Sequence, residues 1–362
     1  MSEYSLQALV TIVSGITRLS FAVLAAGFVA QSAVPQLRVG ALTAPIHLDG
    51  VLDEPAWTSA AAIDNLTMSE PTAGGAPTGS TRVRVLADER AIVIGIECDD
   101  PDPSRIVSFT KQRDAVLDAE DHVAVVFDTF LDGRSGYLFA VNPSGARYDA
   151  LINPGGTDAN AEWDGIWDAA THRDGRGWSV EIWIPVQTLG FKRGLADWHF
   201  NVQRRIQRFQ ETDRWASARP DWTITQTSRA GLLTGLPDFS LGVGLTVRPA
   251  VIGGGGMPAP GAAITNDSHA SLDALQRLGP NVNASISVNT DFAETEVDAR
   301  RTNLTRFPLF FPEKRTFFLE GSDIFAFGLG LSERVIPFFS RRIGLLEGEQ
   351  VPINVAGKVN GD

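Results

Sequence analysis

The sequence predicts an all-β fold: an antiparallel β-sandwich followed by the first strands of a membrane β-barrel. Three observations carry that expectation. Glycine and proline are abundant, 35 and 20 of 362 residues, as many tight turns between short strands require. From residue 34 to 238 the chain runs in short alternating segments separated by turn residues. Beyond Phe239 the alternation becomes stricter and longer, with small polar residues on one face and aliphatic residues on the other, the pattern of a barrel strand.

Composition narrows the function classes. Apolar residues make up 43 % and charged residues 20 %, which excludes a disordered or collagen-like chain. A net charge of −12 with no basic stripe argues against nucleic acid as a partner. The single cysteine, Cys98, excludes an internal disulfide framework and a cysteine-based zinc site. The length favours two domains.

Residues 1–33 read as an export signal, with Arg18 ahead of the apolar run Leu19–Ala30 and small residues at Ala30, Ser32 and Ala33. An uncleaved anchor is the alternative, and either way the remainder leaves the cytoplasm. The expected strands of the sandwich, residues 34–238, are Thr81–Leu86, Ala91–Glu97, His122–Asp128, Tyr137–Asn142, Trp178–Ile184 and Phe200–Arg208. Asp132–Gly136 supplies a hairpin loop. One short helix is expected, with Asp53 as N-cap, Pro55 in the first turn, and Trp57–Ile63 following.

In the second part, residues 239–362, three runs alternate: Leu241–Arg248, Asn281–Thr290 and Ile353–Asn360. The stretch Gly253–Gly261 reads as a flexible connection between two of them. An ordinary half-buried sheet has the same period as a barrel strand. Membrane barrels need about 8 strands to close, so the segment is expected to be the N-terminal part of a barrel, in a fragment of a longer protein or a truncated product.

Two resemblances sharpen this reading. His47–Trp57, the Arg113-Asp114 to Asp121 segment leading into Val123–Asp128, Phe139–Gly145 and Gly177–Pro185 resemble family 9 carbohydrate-binding modules in order and spacing, over residues 45–220. Val288–Glu296, Phe311–Gly321 and Phe339–Gly344 resemble the outer-membrane proteins of the domain-of-unknown-function family DUF5916. The second resemblance implies a module of this kind joined to a long C-terminal barrel.

All eight tryptophans lie between residues 57 and 222, and a sugar site stacks a pyranose on an aromatic ring while polar groups take the hydroxyls. Trp57, Trp178, Trp183 and Trp198 sit among aliphatics and are expected in the core. Trp163 and Trp222 sit among turn residues and acids and are the stacking candidates, with Trp215 and Trp167 intermediate. Following the family 9 resemblance, Arg113 is expected to donate a forked pair of hydrogen bonds to sugar hydroxyls and Asp114 to accept, a salt-bridged loop being the alternative. Such modules often hold structural calcium, for which Asp118, Glu120 and Asp121 are the candidate ligands; Asp99–Asp102 is a second oxygen-rich turn. Both stretches lack an Asp-x-Asp-x-Asp-Gly loop, so solvated turns are the competing reading.

No catalytic motif is present: there is no Gly-x-Ser-x-Gly elbow, no His-Glu-x-x-His and no phosphate loop. His47, His122, His172 and His199 show no metal or haem spacing. The charges Glu313-Lys314-Arg315, Glu320 and Arg341-Arg342 stand among phenylalanines, and on a lipid face each would be strongly unfavourable. They are expected to face a lumen or water as a paired, inward-folded segment. The expected function is non-catalytic glycan binding by an exported sandwich attached to an outer-membrane barrel, with lipid as the second partner. A glycoside hydrolase or its accessory domain, and a transport barrel with a periplasmic plug, are the alternatives.

Overall fold

The computed structural model describes residues 34–64, 66–156, 159–256, 265–278 and 282–289, and residues 313, 315–319, 340, 343–346, 349–351 and 353–361. The expected export signal lies outside the described residues, as do Glu320 and Arg341-Arg342. Among the described residues no helix is long and apolar enough to cross a membrane.

Strands are numbered β1–β21 along the chain. One sheet holds β1 (Gln36–Arg38), β4 (Thr67–Glu70), β7 (His122–Asp128), β8 (Gly136–Val141), β9 (Arg147–Ile152), β10 (Ala159–Asn160), β13 (Asp197–Ile206), β14 (Glu211–Arg214) and β15 (Gly231–Thr234). Its order is β1-β15-β13-β7-β8-β9-β10, with β14 and β4 continuing from β13. The second sheet holds β2 (Gly40–Ala41), β3 (Ala62–Ile63), β5 (Thr81–Ala87), β6 (Ala91–Asp99), β11 (Asp168–Arg173) and β12 (Gly177–Pro185), in the order β11-β12-β6-β5-β2 with β3 on β5. Pairing is antiparallel except for the short β1–β15 and β2–β5 contacts.

Alternation along each strand sends one side chain set between the sheets. Val83 and Val85, Ile92, Ile94 and Ile96, and Val180, Ile182 and Ile184 meet Val123, Val125, Phe127, Phe139, Phe200 and Val202 in one continuous core. That is the expected β-sandwich. Its outer faces are covered too. Trp57 of helix α1 (Pro55–Ser59) packs on Leu86 and Val93, and Leu117, Ala146 and Ile224 cover Val126, Leu138 and Ala140. Double coverage explains why β6 reads as an almost unbroken apolar run.

Several local expectations need correction. The helix ends at Ser59, its N-cap is Glu54 rather than Asp53, and no side chain caps it; Ala62–Ile63 is already a strand. Trp183, expected in the core, is 39 % exposed on the outer face of β12. The Asp132–Gly136 hairpin stands, held by the Asp128 carboxylate, which accepts the amides of Phe130, Leu131 and Gly133. The apolar face of β13 contains one buried cation, Arg204, satisfied by the Ser80 and Asp99 carbonyls and the Thr81 hydroxyl.

The sandwich core extends past Asp238, since Phe239 and Leu241 are buried in it. The backbone then turns through Gly242 and Gly244, both in the left-handed region (φ 58° and 67°). The alternating run therefore starts at Leu245, not Leu241. A third sheet follows in the order β16 (Leu245–Gly256), β17 (Thr265–Arg277), β18 (Val282–Val288), β21 (Val355–Gly361), all antiparallel. Gly253–Gly256, expected as flexible connection, continue β16 in register with β17; residues 257–261 lie outside the described residues. A short pair, β19 (Leu345–Leu346) and β20 (Glu349–Gln350), completes the strands.

The third sheet is two-faced. Cross-strand rows such as Pro249–Leu272–Val288–Val355 and Leu245–Gln276–Ala284–Val359 lie on one face, where Leu245, Val247, Val251, Leu272, Ile286, Val288, Val355 and Val359 are exposed. The other face carries Arg248–Asp273–Ser287–Ala356 and Thr246–Leu275–Ser285–Lys358. Against this polar face lies helix α2 (Thr316–Leu319): the Lys358 ammonium donates to the Phe317 carbonyl at 2.6 Å. Arg315, 3 % exposed, forks onto both Glu313 oxygens at 2.9 Å each and also donates to the Ser340 and Ile343 carbonyls. In the described part of the phenylalanine-rich charged segment, Glu313 and Arg315 are thus paired as expected.

Candidate functional site

The charged loop ahead of β7 and the turn between β10 and β11 meet at one end of the sandwich, around Arg113. Trp167, 4 % exposed, packs edge-on against Phe139 and forms the floor. The guanidinium groups of Arg113 and Arg147 lie 5.9 and 5.8 Å from the Trp167 ring centroid. Asp149 faces the same way as its cross-strand partner Phe139, and its side chain is fully buried.

Asp149 organises the cluster. One carboxylate oxygen accepts Arg113 Nη2 at 2.7 Å and the other accepts the Gly165 amide at 2.6 Å. Burial pushes the Asp149 carboxyl up to about 6, against the pull of the Gly165 amide and Arg113. Arg113 Nη2 also donates to Asp164 and, at 3.2 Å, to the Gly165 carbonyl. Asp114 stands beside it, its carboxylate 3.4 Å from Arg113 Nε and 40 % exposed. Burial raises the Asp114 pKa, opposed by Arg113.

All of Arg113's hydrogen bonds run through Nη2. Its Nε is buried without a hydrogen bond, and the side chain as a whole is 30 % exposed. The result is a fixed donor next to two open acceptors, Asp114 and Asp164, with exposed Val116 and Ile166 on the two contributing loops (72 % and 61 %). A rigid donor–acceptor array with apolar neighbours suits a ligand carrying adjacent hydroxyls.

The other expected site residues are placed differently. Trp163 is a core residue, 7 % exposed, 5.0 Å from the Tyr137 ring and 6.0 Å from Phe139. It has no face for a sugar, because Gly165 lets the ring fold inward: a Cβ there would stand 2.7 Å from Trp163 Cη2. Trp215 is partly buried against Phe200 and closes over Gly231. Trp222 is half-buried, but Arg219 and Arg229 already lie 4.8 and 4.7 Å from its ring centroid.

The calcium candidates do not form a shell either. Glu120 is 1 % exposed and its oxygens accept the Phe109 and Thr110 amides and the Asn142 side-chain amide. Asp121 is equally buried and accepts the Gln207 amide; burial raises its pKa. Asp118 is exposed. Asp100, in the second oxygen-rich turn, is fully buried and forked by Arg208 at 2.9 and 2.5 Å. Glu120, Asp121 and Asp100 are thus acceptors for protein donors. Among the described residues no group of three or more His, Cys, Asp or Glu side chains could hold a metal ion.

Sequence reasoning missed Asp149, Asp164 and Trp167 as partners of Arg113. One signal was present. Asp149 is an acid in the middle of an otherwise apolar-alternating strand, Tyr148 to Ile152, where a buried charge demands a partner.

Comparison with known proteins adds the following. Residues 286–356 match the model of a domain of unknown function, DUF5916. No curated protein matches the chain. Among solved structures, a Bacteroides uniformis protein described as carbohydrate-binding is similar at 11 % identity and a TM-score of 0.46, over 56 % of this chain and 99 % of that one. A family 9 carbohydrate-binding module of Caldicellulosiruptor kristjanssonii in complex with glucose aligns at 13 % identity and a TM-score of 0.40, over 57 % of this chain and 97 % of that one. The same module with cellotriose gives the same identity and score, over 57 % and 95 %.

Proposed function

We propose that the sandwich captures a carbohydrate without cleaving it, and that the third sheet belongs to a β-barrel in an outer membrane. The observation that carries the first part is the Arg113 array: a guanidinium immobilised by buried Asp149, 30 % exposed beside the Asp114 and Asp164 carboxylates. Pre-organised polar groups bind hydroxyls well because little freedom is lost on association. The order of the family 9-like segments along the chain supports the same reading. Trp222 serves as a second stacking point only if a ligand displaces a guanidinium from its ring.

The membrane part rests on the two-faced sheet. Its exposed face is mostly aliphatic, interrupted by Gln276, its opposite face carries Arg248, Asp273, Ser285, Ser287 and Lys358 with α2 against it, and β16 and β17 are 12 and 13 residues long. A tilted strand needs about 9–11 residues to span the hydrocarbon core. An exported protein of a Gram-negative-type envelope fits both parts.

The test is fluorescence of the full-length protein in detergent micelles, titrated with glucose and with cello-, xylo- and chito-oligosaccharides. Trp167 lies under Arg113, so a saturable change that Arg113→Ala abolishes is the expected result. No response to any of these sugars would remove carbohydrate capture and leave the barrel with a plug domain. Release of reducing ends, lost on carboxylate substitution, would instead establish hydrolysis.

A further inference from the structure

The third sheet has ends of different character, and the sandwich sits at one of them. Leu245, Arg277, Val282 and Gly361 lie together at that end, because Leu245 pairs with Gln276 and Val282 with Gly361. The Arg277 guanidinium reaches back into the sandwich and donates to the Gln187 and Leu189 carbonyls at 3.2 and 3.0 Å. At the same end the Asn160 side-chain amide donates to the Glu313 carbonyl at 3.1 Å, so the inward-folded segment also touches the sandwich.

Connection lengths differ between the two ends. At the sandwich end β17 passes to β18 through residues 278–281 alone, Leu-Gly-Pro-Asn, a short connection. At the opposite end β16 passes to β17 through residues 257–264, and β18 passes toward β19 through residues 289–344. Outer-membrane barrels place short turns on the periplasmic side and long loops outside the cell. A long loop folded onto the polar face, as Glu313–Leu319 is, is one way such barrels obstruct their lumen.

Resting on the barrel reading above, we infer that the sandwich stands on the periplasmic side of the outer membrane. Its Arg113 site then meets glycans that are in the periplasm, not polymers at the cell surface. The carbohydrate class narrows accordingly to cell-wall glycan or oligosaccharides that have already crossed.

Thiol labelling of the full-length protein in cells tests this. The native Cys98 is buried, and burial pushes its thiol up to about 11, so it stays silent to a maleimide. One variant carries Lys111→Cys on the exposed sandwich loop and another Ala259→Cys in the 257–264 connection. The probe is a polyethylene-glycol maleimide too large to cross the outer membrane. We expect Ala259→Cys to label equally before and after permeabilisation, and Lys111→Cys to gain at least tenfold on permeabilisation. The opposite pattern, or equal labelling of Lys111→Cys in intact cells, overturns the orientation. Extraction of the unsubstituted protein into the soluble fraction by urea would instead defeat the barrel reading itself.

Discussion

The Glu181 carboxylate accepts the Trp57 indole N–H at 3.2 Å across 124 residues of sequence, and its second oxygen accepts the Asp49 and Gly50 amides at 3.0 Å each. This one acid ties the His47–Trp57 segment onto the outer face of β12. Gly50 is required there: its φ is 86°, and a Cβ would stand 2.5 Å from the Thr171 carbonyl carbon. The most recognisable motif of the sequence is therefore a structural clamp.

Replacing Glu181 by Gln keeps one acceptor but turns an amide N–H toward the indole N–H. Leaving a buried donor unmet costs about 1–3 kcal/mol. Glu181→Gln is expected to lower unfolding stability by about that amount and Glu181→Ala by more. Urea unfolding followed by tryptophan fluorescence checks this, since every tryptophan lies in the sandwich.

Asp213 pairs directly across from Arg204 on β13, yet neither of its carboxylate oxygens has a hydrogen bond, and Glu211 lies beside it. Burial first, then the Glu211 charge, pushes the Asp213 carboxyl up to about 7. The native state then binds more protons than the unfolded chain between pH 4 and 7, so stability falls as pH rises through that window and is fully restored only near the unfolded value of 3.8. Asp213→Asn is expected to flatten the decline and to be the more stable protein at pH 8. A variant that declines as steeply as the parent over pH 4–7 would assign the slope elsewhere.

On the third sheet, Leu272 sits in the middle of the aliphatic face and its neighbour Ser271 on the polar one. Arginine at a lipid-facing midplane position costs about 2–4 kcal/mol. Leu272→Arg should reduce the membrane-inserted fraction several-fold, while Ser271→Arg leaves it intact. Urea-resistant membrane fractionation of both variants reads the difference; equal behaviour would mean the aliphatic face does not meet lipid.

What the sequence made legible follows from which interactions are local. Strand periods are local, and His122–Asp128 was read to the residue. So was the need for Arg315 to pair, because a charge among phenylalanines has few alternatives. The site was less legible because burial is decided by distant neighbours. Trp163 lies beside Asp164-Gly165 and resembles a surface ring, yet Gly165 is what allows it inward. Glu120 and Asp121 look like solvent-facing acids, but amides from Phe109 and Gln207 close over them. Arg113 was identifiable through its resemblance to a known module; its dependence on Asp149, 36 residues away, was not.

The central claim is that Arg113 and its acid partners form a carbohydrate site. It is tested most directly by calorimetric titration of the full-length protein with the tightest-binding oligosaccharide, comparing Arg113→Ala, Asp114→Asn and Trp222→Ala. Arg113→Ala is expected to lose at least tenfold in affinity, about 1.4 kcal/mol, and Asp114→Asn a measurable amount. Trp222→Ala should change affinity less than threefold. Undiminished binding by Arg113→Ala, or binding abolished by Trp222→Ala alone, would contradict it.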